Sequence, residues 1–268
     1  MAPHSPAGEV AWRVNGERLM LLGWTRAILM QLAHPLIAAG VYDHSSFRAD
    51  PGTAVTRLRH TVQAMLALTF GDEQQQARAY GGIRAIHRRV NGYLPVAAGR
   101  FPAGTRYSAE DPDLVLWVHV TLMDSIPLVY ERLIAPLSTA ERDAYCVDAA
   151  RVAVALGARD AEVPRSWSAV RQHIDATFAA GSIAVTPQAR ELSRALLAPR
   201  FAKVMAPAAW ANRLFALGDL PPILRAQYGF TWTSRDERAL ARFAALIHGV
   251  RAGAPGIVAL WPQARSAH

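Results

Sequence analysis

Apolar residues recur along this chain at helical spacing, and strand-like alternation is scarce. Residues 18–33 are apolar on most sides, which predicts a buried helix. His34-Pro35 should break it, because the residue before proline avoids helical geometry and proline has no N–H to donate. A short helix over 35–42 and a polar loop over 43–52 follow. Ala54–Phe70 reads as an amphipathic helix ended by Gly71. Asp72 is placed to cap the next helix, which runs to about Tyr93. Leu94–Ala109 is rich in Gly and Pro and reads as a long loop. Asp111-Pro112 pairs a capping carboxylate with proline at the first helical position and opens a helix to about Ile134. Ser138-Thr139-Ala140-Glu141 fits a capping box for a helix ending near Gly157. Further helices are expected over 164–180, after Thr186-Pro187, over 206–218 and over 221–228. A second box at Ser234–Glu237 opens a helix to about His248. The last twenty residues read as a tail. The predicted fold class is all-α, one large multi-helix domain over residues 1–268 with its core in about 10–250.

Two apolar stretches invite comparison with a membrane span. Residues 19–42 are interrupted by Arg26, Gln31 and His34, and residues 114–130 contain His119 and Asp124. Neither supplies the ~20 uncharged residues a spanning helix needs, so both read as core helices. The N-terminus has no apolar run of signal-peptide length, which makes a cytoplasmic location the expectation.

Composition narrows the functions. Hydrophobic residues make up 51% of the chain and charged residues 19%, the balance of a globular domain with a large core. The formal charge is +8, carried by arginines that are scattered and not clustered, which argues against nucleic acid as a partner and leaves peripheral contact with a membrane open. A single cysteine, Cys146, excludes an intrachain disulfide and an all-cysteine metal site, and its helical setting makes it a small core residue. Nucleotide-binding glycine loops, a G-x-S-x-G elbow and an H-E-x-x-H zinc helix are all missing from the sequence. No glutamate is followed by histidine three residues later, so the di-iron carboxylate pattern is absent too.

Histidine remains. Ile83, Ile86, His87 and Val90 follow the spacing of one helix face, and a neutral, oriented imidazole in an apolar stripe is what a haem iron takes as an axial ligand. Arg84 and Arg88, with Arg89, flank it and suit haem propionates. Spacing equally allows a core histidine bonded to a carbonyl. On the preceding helix Arg57, His60 and Thr61 share a face that Met65 and Leu68 continue. A cation, an imidazole and a hydroxyl there could polarise and protonate bound dioxygen; an interface helix with a polar edge is the plain alternative. His119, on the stripe Val115, His119, Leu122 and Ile126, is a metal-ligand candidate that spacing ranks no lower than His87. His34 is expected to bond a carbonyl freed by Pro35. His44 and Asp50 read as exposed.

These segments together resemble a known family. Gln31-Leu32-Ala33-His34-Pro35-Leu36-Ile37-Ala38-Ala39-Gly40-Val41 with His44-Ser45 and Phe47 is similar to the opening signature of the MpaB and latex-clearing-protein (rubber oxygenase) catalytic domain. Arg57–Thr61, Phe70-Gly71, Ile86–Gly92, Tyr107–Ala109, Asp111–Leu114 and Trp117–Leu122 follow in order. The resemblance covers about residues 10–250. It implies a helical fold around a buried b-type haem pocket, with His87 as the iron ligand and Arg57 and Thr61 on the distal side. Where rubber-cleaving members carry a lysine in an R-x-x-K-T arrangement, this chain has His60. The function expected from the resemblance is a haem b-dependent oxygenase that uses dioxygen on a small lipophilic, unsaturated, isoprenoid-like substrate, by oxidative cleavage of a carbon–carbon double bond. The alternative is a non-catalytic helical protein that binds haem or lipid.

Overall fold

The computed structural model describes residues 6–44, 51–197 and 206–265; for 6–7, 51–58 and 206 it describes the backbone alone. Helix dominates. In chain order the α-helices are α1 (Pro6–Gly16), α2 (Leu21–Leu32), α3 (Pro35–His44), α4 (Pro51–Phe70), α5 (Glu73–His87), α6 (Pro112–Leu133), α7 (Thr139–Leu156), α8 (Trp167–Ala179), α9 (Pro187–Leu197), α10 (Ala206–Gly218), α11 (Pro222–Tyr228), α12 (Ser234–Gly253), α13 (Gly256–Ala259) and α14 (Pro262–Arg265). Between α5 and α6, β1 (Asn91–Tyr93) and β2 (Arg106–Ser108) form an antiparallel hairpin with Gly92 opposite Tyr107. The expected all-α class holds.

The two stretches compared with membrane spans become α2–α3 and α6, and α2 and α6 pack together at the centre. Among the described residues α6 alone is long and apolar enough to cross a membrane, and most of its apolar window is buried inside the protein. The charges that interrupt the two stretches meet: Arg26 Nη1 lies 2.7 Å from Asp124 Oδ2, with both side chains essentially inaccessible. Arg26 also donates to Ser125 Oγ and to the Asp219 carbonyl, and Arg171 reaches Asp124 Oδ1 at 2.8 Å. Charge that a bilayer would exclude is thus neutralised between two core helices. Close approach is built in at Gly23, where an added Cβ would lie 3.0 Å from the Ser125 carbonyl oxygen.

The break at His34-Pro35 separates α2 from α3 as the sequence predicts. A helix end leaves carbonyls without intrahelical partners. Here the Trp117 indole donates to the Met30 carbonyl at 3.3 Å and the Ala184 amide to Ala33 at 2.9 Å, while the Tyr228 hydroxyl joins the Ala33 amide on the Leu29 carbonyl at 2.7 Å. The expected bond from the His34 ring is not made, because residues distant in sequence already occupy the end of α2. His34 is buried with its Nδ1 unpartnered, packed 5.1 Å from the Phe101 ring.

Caps at Asp72, Asp111, Ser138 and Thr186 are as read from sequence. Three expectations need correction. The box of α12 is Thr233 with Asp236, one residue earlier than predicted, and Glu237 instead accepts from the Trp232 indole. Helix α5 stops at His87, not near Tyr93, because Val90 and the β-hairpin turn inward to pack on α3; a Cβ on Gly40 would touch Val90 and Tyr107. The C-terminal segment is no tail: the Trp261 amide donates to the Gly16 carbonyl, Arg18 to Leu260, and Ala264 accepts from the Trp12 indole.

Candidate active site

The predicted site residues lie on the helical hairpin α4–α5 and on α6. A two-residue bend, Gly71-Asp72, joins α4 to α5. Gly71 is required there, since a Cβ would fall 2.3 Å from the Ala67 carbonyl oxygen. The bend folds α5 back along α4. Counted at about 1.5 Å per residue, Arg57 on α4 and His87 on α5 both lie about 20 Å from the bend. The hairpin therefore brings the Arg57–Thr61 turn to the level of His87.

His87 occupies the last turn of α5 and is half-buried, but the stripe read from sequence is not a single buried face: Ile86 is 64% exposed. Helix α5 is largely polar and buries no residue completely. Burial lowers the His87 pKa, with Glu110 opposing. His119 is buried on α6 and faces the same region. Burial first, then positive charge on His87, pushes its pKa down to about 4. Both rings are therefore uncharged near neutral pH, and neither has a hydrogen-bond partner among the described residues. Two neutral, unpartnered imidazoles with their nitrogen lone pairs available are the donor chemistry that an iron porphyrin requires.

The flanking arginines divide. Arg84 donates to the Ala155 carbonyl of α7 and is committed there. Arg88 and Arg89 are exposed and make no ion pair among the described residues. On α4, Met65 and Leu68 are covered, whereas His60 and Thr61 are exposed on the same helix. The side chain of Arg57 lies outside the described residues, as do Ser45, Phe47 and Asp50. A cavity of about 30 Å³ lies between α2, α4 and α6, lined by Trp24, Val62, Met65 and Ile126. A wider groove of about 450 Å³ follows the outer edge of the α4–α5 bend, between Gln63, Phe70 and Arg78. Neither borders His87 or His119.

A family model described as "ER-bound oxygenase mpaB/B'/Rubber oxygenase, catalytic domain" matches residues 12–249. The chain belongs to this oxygenase family. It is thereby an oxygenase-type enzyme by family, and nearly the whole described fold, from α1 to α12, lies within the matched region. No curated protein and no solved structure matches the chain. Several motif residues of the family resemblance prove to be structural. His44 ends α3, and its Nε2 lies 2.9 Å from the Asn91 carbonyl. The Tyr107 hydroxyl donates to Asp43 at 2.6 Å and lies 3.4 Å from His44. These contacts clamp α3 to the β-hairpin that follows His87. Sequence spacing missed the clamp because its members are separated by 47 to 64 residues. It also missed the apposition of His119 and His87, which lie on separate helices, α6 and α5.

Proposed function

We propose that this oxygenase is haem-dependent and acts on a lipophilic, unsaturated substrate. The observation that carries the reading is the pair His87, half-buried at the end of α5, and His119, buried on α6, neither with a hydrogen-bond partner among the described residues, in a chain of an oxygenase family. In this reading His87 holds the iron of haem b. His119 stands beside it as a second neutral imidazole. Arg88 is free to pair with a propionate; Arg84, already bonded to α7, stiffens the last turns of α5. When bound, the haem supplies activation of dioxygen, and the protein supplies orientation and exclusion of water. Arg57, His60 and Thr61 rise to the same level on α4 and form the polar side of the reaction space. There His60 holds and moves a proton at its imidazole nitrogen.

Turnover tests the assignment. Dioxygen uptake should depend on added unsaturated isoprenoid lipid and disappear with the saturated analogue. His60→Ala should keep bound haem but lower kcat by about 10²-fold or more, the size of a general acid–base contribution. Unchanged turnover would remove His60 from the chemistry. Haem retention with no substrate-dependent uptake would favour the haem- or lipid-binding alternative.

A further inference from the structure

The segment that carries His87 has an unusual outer surface. From Arg84 to Ala109 the chain contains five arginines (Arg84, Arg88, Arg89, Arg100 and Arg106) and no aspartate or glutamate. The same segment holds three of the large exposed apolar side chains: Ile86, Tyr93 and Val96 are 64%, 66% and 69% exposed. The hairpin geometry sorts its residues by side. Tyr107 and Gly92 face inward onto α3, while Tyr93 and its cross-strand partner Arg106 both point outward. The loop between the strands is held in shape by the Leu94 amide to the Thr105 carbonyl, the Gly104 amide to Leu94, and a bridge between Ala98 and Phe101. Its base is fixed to the core by the Arg100 amide on the Gly181 carbonyl. Arg88, Arg89 and Arg106 make no ion pair among the described residues.

We infer that the hairpin Asn91–Ser108, with the end of α5, is a docking surface for an anionic lipid bilayer. A rigid loop presenting an aromatic ring and aliphatic side chains ringed by unneutralised guanidinium groups matches the interface of such a bilayer. The tyrosine sits at headgroup level, the valine among the acyl chains, and the arginines on lipid phosphates. A protein partner would call for a larger apolar centre with less charge. Because His87 immediately precedes this hairpin, docking would set the site beside the phase in which a lipophilic substrate is dissolved. That purpose rests on the reading under "Proposed function"; the surface itself does not.

Co-sedimentation of the full chain with vesicles tests the inference. The protein should bind phosphatidylcholine vesicles containing about 30% phosphatidylglycerol, bind pure phosphatidylcholine weakly, and release as salt rises from about 0.1 M to about 0.5 M. Arg106→Glu should lower partitioning by at least about fivefold, and Tyr93→Ser with Val96→Ser should lower it comparably. Leu246→Ser with Val250→Ser, at an exposed apolar site on α12, should leave it unchanged. Hydrogen exchange on the unaltered protein gives a second readout: vesicles should protect amides in 88–106 and spare α12. Equal binding by the Arg106 and Tyr93/Val96 variants, protection elsewhere, no binding to anionic vesicles, or self-association abolished by these substitutions would overturn it. Haem content and dioxygen uptake on a dispersed substrate do not depend on vesicles, so failure of the haem reading would be seen separately.

Discussion

His34 shows how a buried imidazole ties stability to pH. It packs on Phe101, faces Arg100 and has an unpartnered Nδ1; burial first, then the Arg100 charge, lowers its pKa from 6.5 to about 4. Between those values the unfolded chain binds a proton that the native state refuses. The contribution of His34 is therefore complete above about pH 6.5 and is lost as pH falls toward about 4, by about 3 kcal/mol in all. Denaturant titrations at about pH 7.5 and pH 5 should show a loss larger by about 2 kcal/mol in the parent than in His34→Leu. Identical losses would mean that His34 is solvated or paired in solution. The sequence placed this histidine at the helix break from a local rule, the geometry before proline. It could not show that Trp117, Tyr228 and Ala184 bond the carbonyls at the end of α2, because those residues arrive from distant parts of the chain. The same limit applies at His87: its identity as a candidate was legible, its half-buried state and its neighbour His119 were not.

At the level of elements, boundaries set by local chemistry were legible and those set by packing were not. Asp72, Asp111-Pro112, Ser138 with Glu141, and Thr186-Pro187 each start a helix where the sequence says, since a cap acts within three residues of itself. Helix α1 and the C-terminal α13–α14 were missed, because short segments of mixed polarity become ordered only through what they touch. The two apolar stretches were correctly read as core helices, and the reason is now visible in the Arg26–Asp124 pair between α2 and α6. Removing one partner leaves an uncompensated charge in the core. Asp124→Leu alone should destabilise the fold by about 3–5 kcal/mol. Arg26→Met combined with Asp124→Leu should recover most of that loss, since Arg171, the other partner of Asp124, is half-exposed and can turn to water. Additive losses in the double variant would show that the pair does more than neutralise itself.

Over the whole molecule, α2 and α6 form the centre, the α4–α5 hairpin carries the candidate site, and the C-terminal segment ties α12 back to the start of the chain. Ending the chain after Gly253 removes the bonds from Trp261 to Gly16, Arg18 to Leu260 and Trp12 to Ala264. The expected loss is about 3 kcal/mol, read as a fall in thermal midpoint. An unchanged midpoint would restore the tail interpretation. The oxygenase family match from residue 12 to 249 covers the site and the elements that build it. The central claim is that His87 holds a haem iron. The most direct measurement is the absorption spectrum, oxidised and after dithionite, with a pyridine haemochrome assay, on the protein and on His87→Ala purified alike with haem supplied. The account predicts a Soret band near one haem per chain in the parent and its loss in His87→Ala, with the fold retained by circular dichroism. A parent without haem, or a His87→Ala variant with an unchanged haem spectrum, would contradict it.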